Sequence, residues 1–279
     1  MTALRQFRFV KKICQKKIGS RRRLKITFIF DFIELNLDKT AVAQEVILTE
    51  IVPVNCRAGE DLSDEEKNVK KIGRLHVLTD TDLQNRFSHI ELAELAIAGG
   101  ADTIQFRQKT GETMQMIRIA EQIQALCKRA GVSFIVNDRV DVAIASRADG
   151  VHLGQGDFPI PLARKLLGEG AVIGGSAGNA EEARKCFLEG VDYIGFGPVY
   201  PTSSKEDAGP ASGLDLLRHV VEKIPLPIIA IGGINKDNAL LAKEMGAYGI
   251  AVISAVCCEK DPEEATRCLL RLVGMRQHD

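Results

Sequence analysis

The segment QFRQK carries Gln105, Arg107 and Lys109 at alternate positions. In an extended strand, alternate residues project to the same side. One amide and two cations that point the same way form an anion site, in which arginine offers a planar fork of donors and lysine a point charge. The segment therefore predicts a phosphorylated or other anionic ligand, with a solvated strand end as the competing interpretation.

Two carboxylates and an amide follow the next apolar runs. Asn137 and Asp138 end the run SFIVND, and Asp157 lies in GQGD after the run GVHLG. Mg²⁺ often takes only one or two carboxylates and leaves its other positions to phosphate and water. We therefore expect Asp138 and Asp157 to hold Mg²⁺ beside a phosphate, while a helix N-cap is the competing role for Asp138.

Small polar residues and glycines follow the later runs. Ser176 ends one run, and the loop PTSSK supplies Thr202, Ser203, Ser204 and Lys205. Glycines in AIGGI and small residues in AVISA let backbone N–H groups approach a phosphate. A basic anion site and a backbone anion site imply two phosphorylated ligands or one bisphosphate.

His152 lies within the apolar run GVHLG. We interpret it as an interior histidine with satisfied hydrogen bonds rather than as a catalytic base. The sequence offers no Ser-His-Asp or Cys-His arrangement that could be assigned. The chemistry is therefore predicted to depend on positioning and on electrostatic stabilisation, without covalent catalysis.

The elements that must position these residues begin near residue 74. Eight short apolar runs of β type alternate with helical patterns, as at 113 to 130, which is typical of βα units around a parallel sheet. Strands that are apolar on both faces need helices outside and packed side chains inside. We predict a (β/α)8 TIM barrel over 74–279, with an open doubly wound sheet as the alternative. The eight runs are LHVLTD, TIQFR, SFIVND, GVHLG, VIGGSA, YIGFGP, PIIAIGG and GIAVISA.

Residues 1–73 do not share this alternation and are predicted to form an N-terminal extension of uncertain, partly disordered structure. The extension begins with the strongly basic stretch RQFRFVKKICQKKIGSRRRLK and ends in a charged linker. An organelle transit peptide, a nucleic-acid-binding tail and retained upstream sequence remain open as explanations.

Composition excludes several classes of function. The chain of 279 residues has a formal net charge of zero, 5% aromatic residues and no Trp, which argues against nucleic-acid binding by the bulk of the chain. No run approaches the roughly 18 apolar residues that a membrane span needs. The seven cysteines show no C-x-x-C spacing, so neither a disulfide framework nor a zinc site is expected. We expect a cytoplasmic protein, with organellar targeting left open by the basic N-terminus.

The motifs QFRQK, VNDR, ADGVHLGQGD, GFGPVYPTSSK with a following GLD, AIGGI and AVISA, in this order, resemble the thiamine-phosphate synthase family. The resemblance runs over essentially all of 74 to 274. It implies a barrel transferase that joins hydroxymethylpyrimidine diphosphate to a thiazole phosphate, giving thiamine phosphate and pyrophosphate. It implies Mg²⁺ as cofactor and small-molecule partners only, and it allows for a homo-oligomer.

The resemblance also implies residue roles. Asp138 and Asp157 correspond to the family's Mg²⁺ ligands, and Ser176 to a contact of the pyrimidine substrate. Lys205 corresponds to a contact of the diphosphate, and with Arg107, Lys109 and Ser176 it forms the expected catalytic set. The pyrimidine diphosphate is expected on Gln105, Arg107, Lys109 and Asn137, and the thiazole phosphate on Thr202, Ser203, Ser204, Gly233, Ile253 and Ser254.

Two positions depart from the family pattern. Ser204 stands where the family has a second threonine, which keeps the hydroxyl. Gly178 stands where the family usually has a histidine, which puts catalytic efficiency in question. A thiazole tautomerase-like isomerase, from a sister group with the same fold, and a degenerate barrel that only binds a phosphorylated ligand are the alternatives.

Overall fold

The computed structural model describes residues 70–204 and 209–274, in which strands and helices alternate along the chain. The strands are β1 Leu75–Thr79, β2 Thr103–Phe106, β3 Ser133–Asn137, β4 Gly150–Leu153, β5 Val172–Ala177, β6 Tyr193–Phe196, β7 Ile228–Ile231 and β8 Gly249–Val252. The helices are α1 His89–Ala98, α2 Thr113–Ala130, α3 Val140–Ser146, α4 Ile160–Leu167, α5 Ala180–Glu189, α6 Gly213–Lys223, α7 Ala239–Glu244, α8 Ser254–Cys257 and α9 Pro262–Gly274.

The strands form a closed parallel barrel in chain order. Closure occurs where β1 pairs with β8, with Leu75 opposite Ile250, while the other edge of β1 pairs with β2, with His76 opposite Thr103. The predicted (β/α)8 barrel is therefore confirmed. The alternative of an open doubly wound sheet is wrong, because an open sheet would leave β1 and β8 unpaired.

The helices cover the outside of the barrel through apolar stripes. In α2 the buried residues are Met116, Ala120, Ile123 and Cys127, which recur at three- and four-residue steps. Ala130, which extends the same spacing by one more step, is exposed. It is the last residue of α2, and the chain leaves the helix at Gly131, whose φ of 68° is the left-handed conformation that glycine readily adopts.

A second apolar cluster fills the inside of the barrel. Side chains from several strands meet there, as expected for the packed interior of a closed barrel. Buried members of this cluster include Leu78, Ile135, Tyr193, Ile229 and Ala251. The interior is therefore packed, and a ligand can enter only above this layer.

Aspartates tie the strands together at the amino-terminal face. One precedes each of β2, β4 and β6, and its carboxylate accepts a hydrogen bond from a backbone N–H at the start of the preceding strand. These contacts lie on the face opposite to the one where barrel enzymes place their chemistry, so we assign them to stability. The bonds are Leu75 N to Asp102 at 3.1 Å, Phe134 N to Asp149 at 2.8 Å and Ile173 N to Asp192 at 2.8 Å.

Within the described residues, every helix is too short or too polar to cross a lipid bilayer. The prediction of an extension over 1–73 falls almost entirely outside the described residues. It stays a prediction.

Candidate active site

A cavity of about 700 Å³ opens at the carboxyl ends of the strands. Its volume is in the range that small-molecule sites occupy. Most of the predicted ligand-binding residues line it, although they come from six different strands or the loops that follow them. They are Gln105, Arg107, Asn137, Ser176, Thr202, Ser204, Gly233, Ile253 and Ser254.

Four predicted residues of the described chain do not line this cavity: Lys109, Asp138, Asp157 and Ser203. Strand β2 ends at Phe106, so the alternation that carries Gln105 and Arg107 inward does not reach Lys109. Lys205 lies outside the described residues.

Arg107 is held in the cavity wall by a carboxylate that sequence reasoning missed. Its guanidinium donates to the carboxylate of Asp80, the residue after β1, and the two side chains are 8% and 1% exposed. The same carboxylate accepts from the backbone N–H groups of Asp82 at 2.9 Å and Leu83 at 3.1 Å. Asp80 is therefore fixed by its own loop and fixes Arg107 in turn.

Three polar atoms of residues that line the cavity are buried without a hydrogen-bond partner. They are Oε1 of Gln105, Nε of Arg107 and Nδ1 of His76. Buried polar atoms in native proteins are almost always paired, so an unpaired acceptor and an unpaired donor facing one cavity indicate a ligand that pairs with both. An amino group and a phosphate oxygen would be suitable partners.

Lys109, Asp138 and Asp157 form a charged cluster beside the cavity. Lys109 donates to the carboxylate of Asp138. Burial, followed by the hydrogen bond and charge of Asp138, raises the pKa of Asp157, and the charge of Lys109 acts in the opposite sense. The N–H of Gly154 donates to Asp157 at 2.6 Å. Two adjacent carboxylates are suited to share a divalent cation.

Asp138 does not cap α3, the competing role that its sequence position allowed. The N-cap residue is Arg139, and no side chain supplies a capping hydrogen bond there. Asp138 instead adopts a left-handed conformation with φ of 63°, and its N–H donates to the carbonyl oxygen of His152 at 2.8 Å. The backbone is thus turned so that the carboxylate faces Lys109 and Asp157 rather than the helix.

Ser176 belongs to a hydrogen-bonded group inside the barrel. Its Oγ lies 2.9 Å from Nε2 of His152, and Nδ1 of His152 lies 3.0 Å from the hydroxyl of Tyr193. His152 is buried with both ring nitrogens bonded, as predicted for a satisfied interior histidine. Tyr193 was not predicted, because it stands in an apolar run that reads as core.

The loop after β6 forms the opposite wall of the cavity. Ser204 Oγ donates to Ser254 Oγ at 3.1 Å, and its N–H donates to Oγ1 of Thr202 at 3.2 Å. Gly233 has φ of 64°, and a Cβ there would lie 2.6 Å from the carbonyl oxygen of Pro201. The loops after β6, β7 and β8 therefore pack closely enough that glycine is required.

Gly178 leaves room that a side chain could fill. A Cβ there would meet only ordinary contacts, 3.5 Å from Oε2 of Glu182 and from the carbonyl oxygen of Gly197. The N–H of Gly178 donates to Glu182 at 2.7 Å. Glu182, which sequence reasoning did not select, lines the cavity. A backbone N–H and a carboxylate thus stand where the resemblance leads one to expect an imidazole.

Gly209 and Gly213 follow PTSSK in the sequence, and from them we predict that the loop closes over the ligands; this stays a prediction. Gly213 has φ of 78°, and its N–H donates to the carbonyl oxygen of Val199 at 3.1 Å. Proline cannot adopt this φ and has no N–H. A Gly213→Pro variant would therefore disturb the fold, so it cannot test closure alone.

The fold and the site together define an enzyme for phosphorylated ligands. The closed (β/α)8 barrel has a cavity with one wall of cations and amides, a loop wall rich in hydroxyls and an adjacent pair of carboxylates. A family model described as thiamine monophosphate synthase matches residues 75–256. The chain belongs to this family. The resemblance seen in the motifs is thereby confirmed, and with it the transferase class.

Relatives match over most of their own length. A thiamine-phosphate synthase of Salinibacter ruber is 51% identical over 197 residues, which are 71% of this chain and 87% of that protein. Another, of Methanocella arvoryzae, is 51% identical over 200 residues, 72% of this chain and 94% of that protein. A solved thiamine phosphate pyrophosphorylase of Pyrococcus furiosus has a TM-score of 0.67 at 42% identity, covering 72% of this chain and 95% of that one.

Proposed function

We propose that the chain joins a hydroxymethylpyrimidine diphosphate to a thiazole phosphate and releases pyrophosphate. The observation that carries the proposal is the pair of unpaired atoms, Gln105 Oε1 and Arg107 Nε, on one wall of a cavity whose other wall carries Thr202, Ser204 and Ser254. One wall suits an aminopyrimidine with its diphosphate, and the other suits a second phosphate. Family membership supports the same reaction.

The diphosphate belongs on the side of Arg107. The guanidinium is already oriented by Asp80, so little conformational freedom is lost when a phosphate oxygen binds its free Nε–H. Gln105 Oε1 would accept from an amino group of the pyrimidine, and Asn137 ends the neighbouring strand β3, two residues beyond Ile135, which pairs with Gln105. Lys109, 37% exposed, has room to turn from Asp138 towards the outer phosphate.

The carboxylates of Asp138 and Asp157 fit a Mg²⁺ ion. Burial, and after it the neighbouring carboxylate of Asp138, raise the pKa of Asp157, as expected where two carboxylates lie close together. When bound, the ion would stabilise negative charge on the departing pyrophosphate. Phosphate and water would complete its coordination, because Mg²⁺ commonly takes few protein ligands.

The thiazole phosphate belongs on the opposite wall. The hydroxyls of Thr202, Ser203 and Ser204 offer donors there, together with the backbone around Gly233, Ile253 and Ser254. Ser204 and Ser254 are already joined at 3.1 Å, so this wall is formed before a ligand arrives. Of these residues Ser203 is exposed, and it is the weakest member of the set.

The proposed step needs no protein nucleophile. The bond from the pyrimidine methylene carbon to the diphosphate oxygen breaks, and its electron pair leaves with pyrophosphate. The lone pair of the thiazole nitrogen then forms the new carbon–nitrogen bond. Arg107, Lys109 and Lys205 stabilise the charge of the leaving group, while the electron-rich aminopyrimidine stabilises the cation left on the methylene carbon.

The test measures thiamine phosphate and pyrophosphate in the same reaction, with Arg107→Ala as the variant. We expect equal amounts of the two products from the parent protein and a loss of about 100-fold in kcat/KM for the pyrimidine diphosphate in the variant. Arg218→Ala is the matched control, because Arg218 is exposed on α6 and its ion pair among the described residues is with Glu222. Equal rates for Arg107→Ala and the parent would contradict the proposal.

The same substrates separate the alternatives. A tautomerase would isomerise the thiazole phosphate without metal or pyrimidine diphosphate. A degenerate barrel would bind ligands in calorimetry and form no product. The cytoplasmic location and a homo-oligomeric state remain predictions, which fractionation of cells and light scattering can test.

A further inference from the structure

Tyr193, His152 and Ser176 form a hydrogen-bonded chain that ends at the cavity. The Tyr193 hydroxyl lies 3.0 Å from Nδ1 of His152, and Nε2 of His152 lies 2.9 Å from Oγ of Ser176. Tyr193 and His152 are 1% and 8% exposed, so bulk water has little access to either ring. The Ser176 backbone is fixed as well, because its carbonyl oxygen accepts from Nε2 of Gln155 at 2.7 Å.

The hydroxyl of Tyr193 determines which groups donate and which accept in this series of hydrogen bonds. Tyr193 is neutral, because burial, followed by the charge of Asp192, raises the pKa of its hydroxyl. Its hydroxyl is bonded to His152, and the structure records no second partner for it among the described residues. If His152 donated to Tyr193, the phenol proton would be a buried donor without an acceptor, which proteins avoid. Tyr193 therefore donates, and Nδ1 of His152 accepts.

The proton positions on His152 and Ser176 are then fixed as well. A neutral imidazole that accepts at Nδ1 carries its proton on Nε2. Nε2–H donates to Ser176 Oγ, so the serine hydroxyl is used as an acceptor on that side. Its own proton is left to point towards the cavity.

The barrel provides space for this pair of rings. A Cβ at Gly174 would lie 2.4 Å from Nδ1 of His152 and 2.5 Å from the Tyr193 hydroxyl. A Cβ at Gly195 would lie 2.9 Å from Cε1 of His152. The ring of His76 packs at 5.2 Å from that of Tyr193. Gly174 on β5 and Gly195 on β6 thus leave room for the contact between His152 and Tyr193, which a larger residue at either position would disturb.

We propose that Tyr193 and His152 are positioning residues that set Ser176 as a hydrogen-bond donor to the substrate. The proposal rests on the proposed function, in which Ser176 touches the pyrimidine diphosphate. With one lone pair of Oγ taken by His152 and its proton left over, Ser176 favours an acceptor atom of the ligand, namely a ring nitrogen or a diphosphate oxygen, over an amino group at that point. The two residues therefore contribute to specificity without touching the reacting atoms.

The first test is independent of activity. In the ligand-free full-length protein labelled with ¹⁵N-histidine, two-bond ¹H–¹⁵N correlation spectra report which ring nitrogen carries the proton. His152, identified by the loss of its signals in His152→Asn, is expected to be neutral at about pH 7.5, with the proton on Nε2. A proton on Nδ1, or on both nitrogens, would overturn the proposal even if the enzyme is active.

The second test is a double-mutant cycle on kcat/KM for the pyrimidine diphosphate. Tyr193→Phe keeps the ring and removes the donor, and we expect a loss of about five- to tenfold, the value of one hydrogen bond. In a Ser176→Ala background, the same change should have no further effect on kcat/KM. Losses that multiply instead would show that Tyr193 does not act through Ser176.

Tyr248→Phe is the matched control. It also removes a phenol hydroxyl, one that donates to the carbonyl oxygen of Ile72 at 3.1 Å at the surface, and it should leave kcat/KM unchanged. Gly174→Ala is a second variant, in which the added methyl should separate Tyr193 from His152 and abolish the preference for the Nε2 proton. An unchanged spectrum in Gly174→Ala would contradict the assigned contact. If the protein forms no thiamine phosphate, the spectra still decide the tautomer, so the two proposals can fail separately.

Discussion

The guanidinium of Arg107 is bonded to the carboxylate of Asp80, and both side chains are almost fully buried at the edge of the cavity. The partner of a predicted substrate-binding arginine is thus a carboxylate from the adjacent strand. The pair neutralises the arginine in part and leaves its Nε buried without a partner.

Asp80→Asn tests this relationship. The amide keeps an oxygen for the N–H groups of Asp82 and Leu83, but its NH₂ group cannot accept from Arg107. We expect the free energy of unfolding to fall by about 2 kcal/mol, as for loss of a hydrogen bond to a charged group. Because Arg107 then loses the partner that orients it, added pyrophosphate should stabilise the variant less than the parent in urea titrations. Equal stabilisation of the two proteins would show that Asp80 does not control Arg107.

Replacing either carboxylate of the proposed Mg²⁺ site should impair turnover. For Asp138→Asn and for Asp157→Asn we expect kcat/KM to fall about 100-fold at fixed Mg²⁺, with partial recovery at higher Mg²⁺. Initial rates over a Mg²⁺ series measure this effect. Asp141→Asn is the control, since that carboxylate pairs with Arg139 on the surface. Full activity of both variants without added metal would exclude the site.

The aspartates at the amino-terminal face should affect stability but not substrate binding. Asp192 accepts from the Ile173 N–H and pairs with Lys70 and Arg164. We expect Asp192→Ala to lower the free energy of unfolding by about 2–3 kcal/mol and to leave KM unchanged. Asp237→Ala, which removes only an exposed pair, should cost less than about 0.5 kcal/mol. A changed KM in Asp192→Ala would show that the two faces are coupled.

Stability should fall in mild acid because two histidines are buried in neutral form. Burial lowers the pKa of His76 and of His89 from 6.5 to about 4, against the opposing charges of Asp102 and Asp80 respectively. As the pH drops below 6.5, the unfolded chain takes up protons that the folded chain does not bind until about pH 4. The free energy of unfolding should therefore decrease over this window by up to about 1.4 kcal/mol per pH unit for each histidine.

Urea unfolding of the parent and of His76→Gln between about pH 7 and about pH 5 measures this slope. The variant should lose stability with pH less steeply, since one of the two histidines no longer titrates. Parallel slopes would mean that His76 binds a proton equally well in both states.

The sequence predicts the barrel well because each strand and helix has a local signature. The count of eight apolar runs predicts a barrel that closes between β1 and β8. Gln105, Arg107 and Asn137 line the cavity because they lie at strand ends. Asp80 and Tyr193 were not recognised, although both lie in runs that were identified. Their roles depend on partners from other strands, Arg107 and His152, and a linear pattern contains no information on such pairs.

Local backbone geometry explains the remaining differences. Lys109 follows the end of β2 and so leaves the line of Gln105 and Arg107. Asp138 adopts a left-handed conformation, which no spacing rule predicts, and it therefore faces Lys109 and Asp157 instead of capping α3. In both cases the direction of the side chain depended on where the strand ended, and the predicted role of the residue stays a prediction.

The central claim is that this chain condenses two phosphorylated substrates with the aid of Mg²⁺, and the most direct test is pyrophosphate release by the purified full-length protein. Both substrates with Mg²⁺ should release pyrophosphate and form an equal amount of thiamine phosphate. Omitting the thiazole phosphate, omitting the pyrimidine diphosphate or chelating the metal should each abolish the signal. No release from a folded protein with both substrates and Mg²⁺, or release that is unaffected by chelation, would contradict the account.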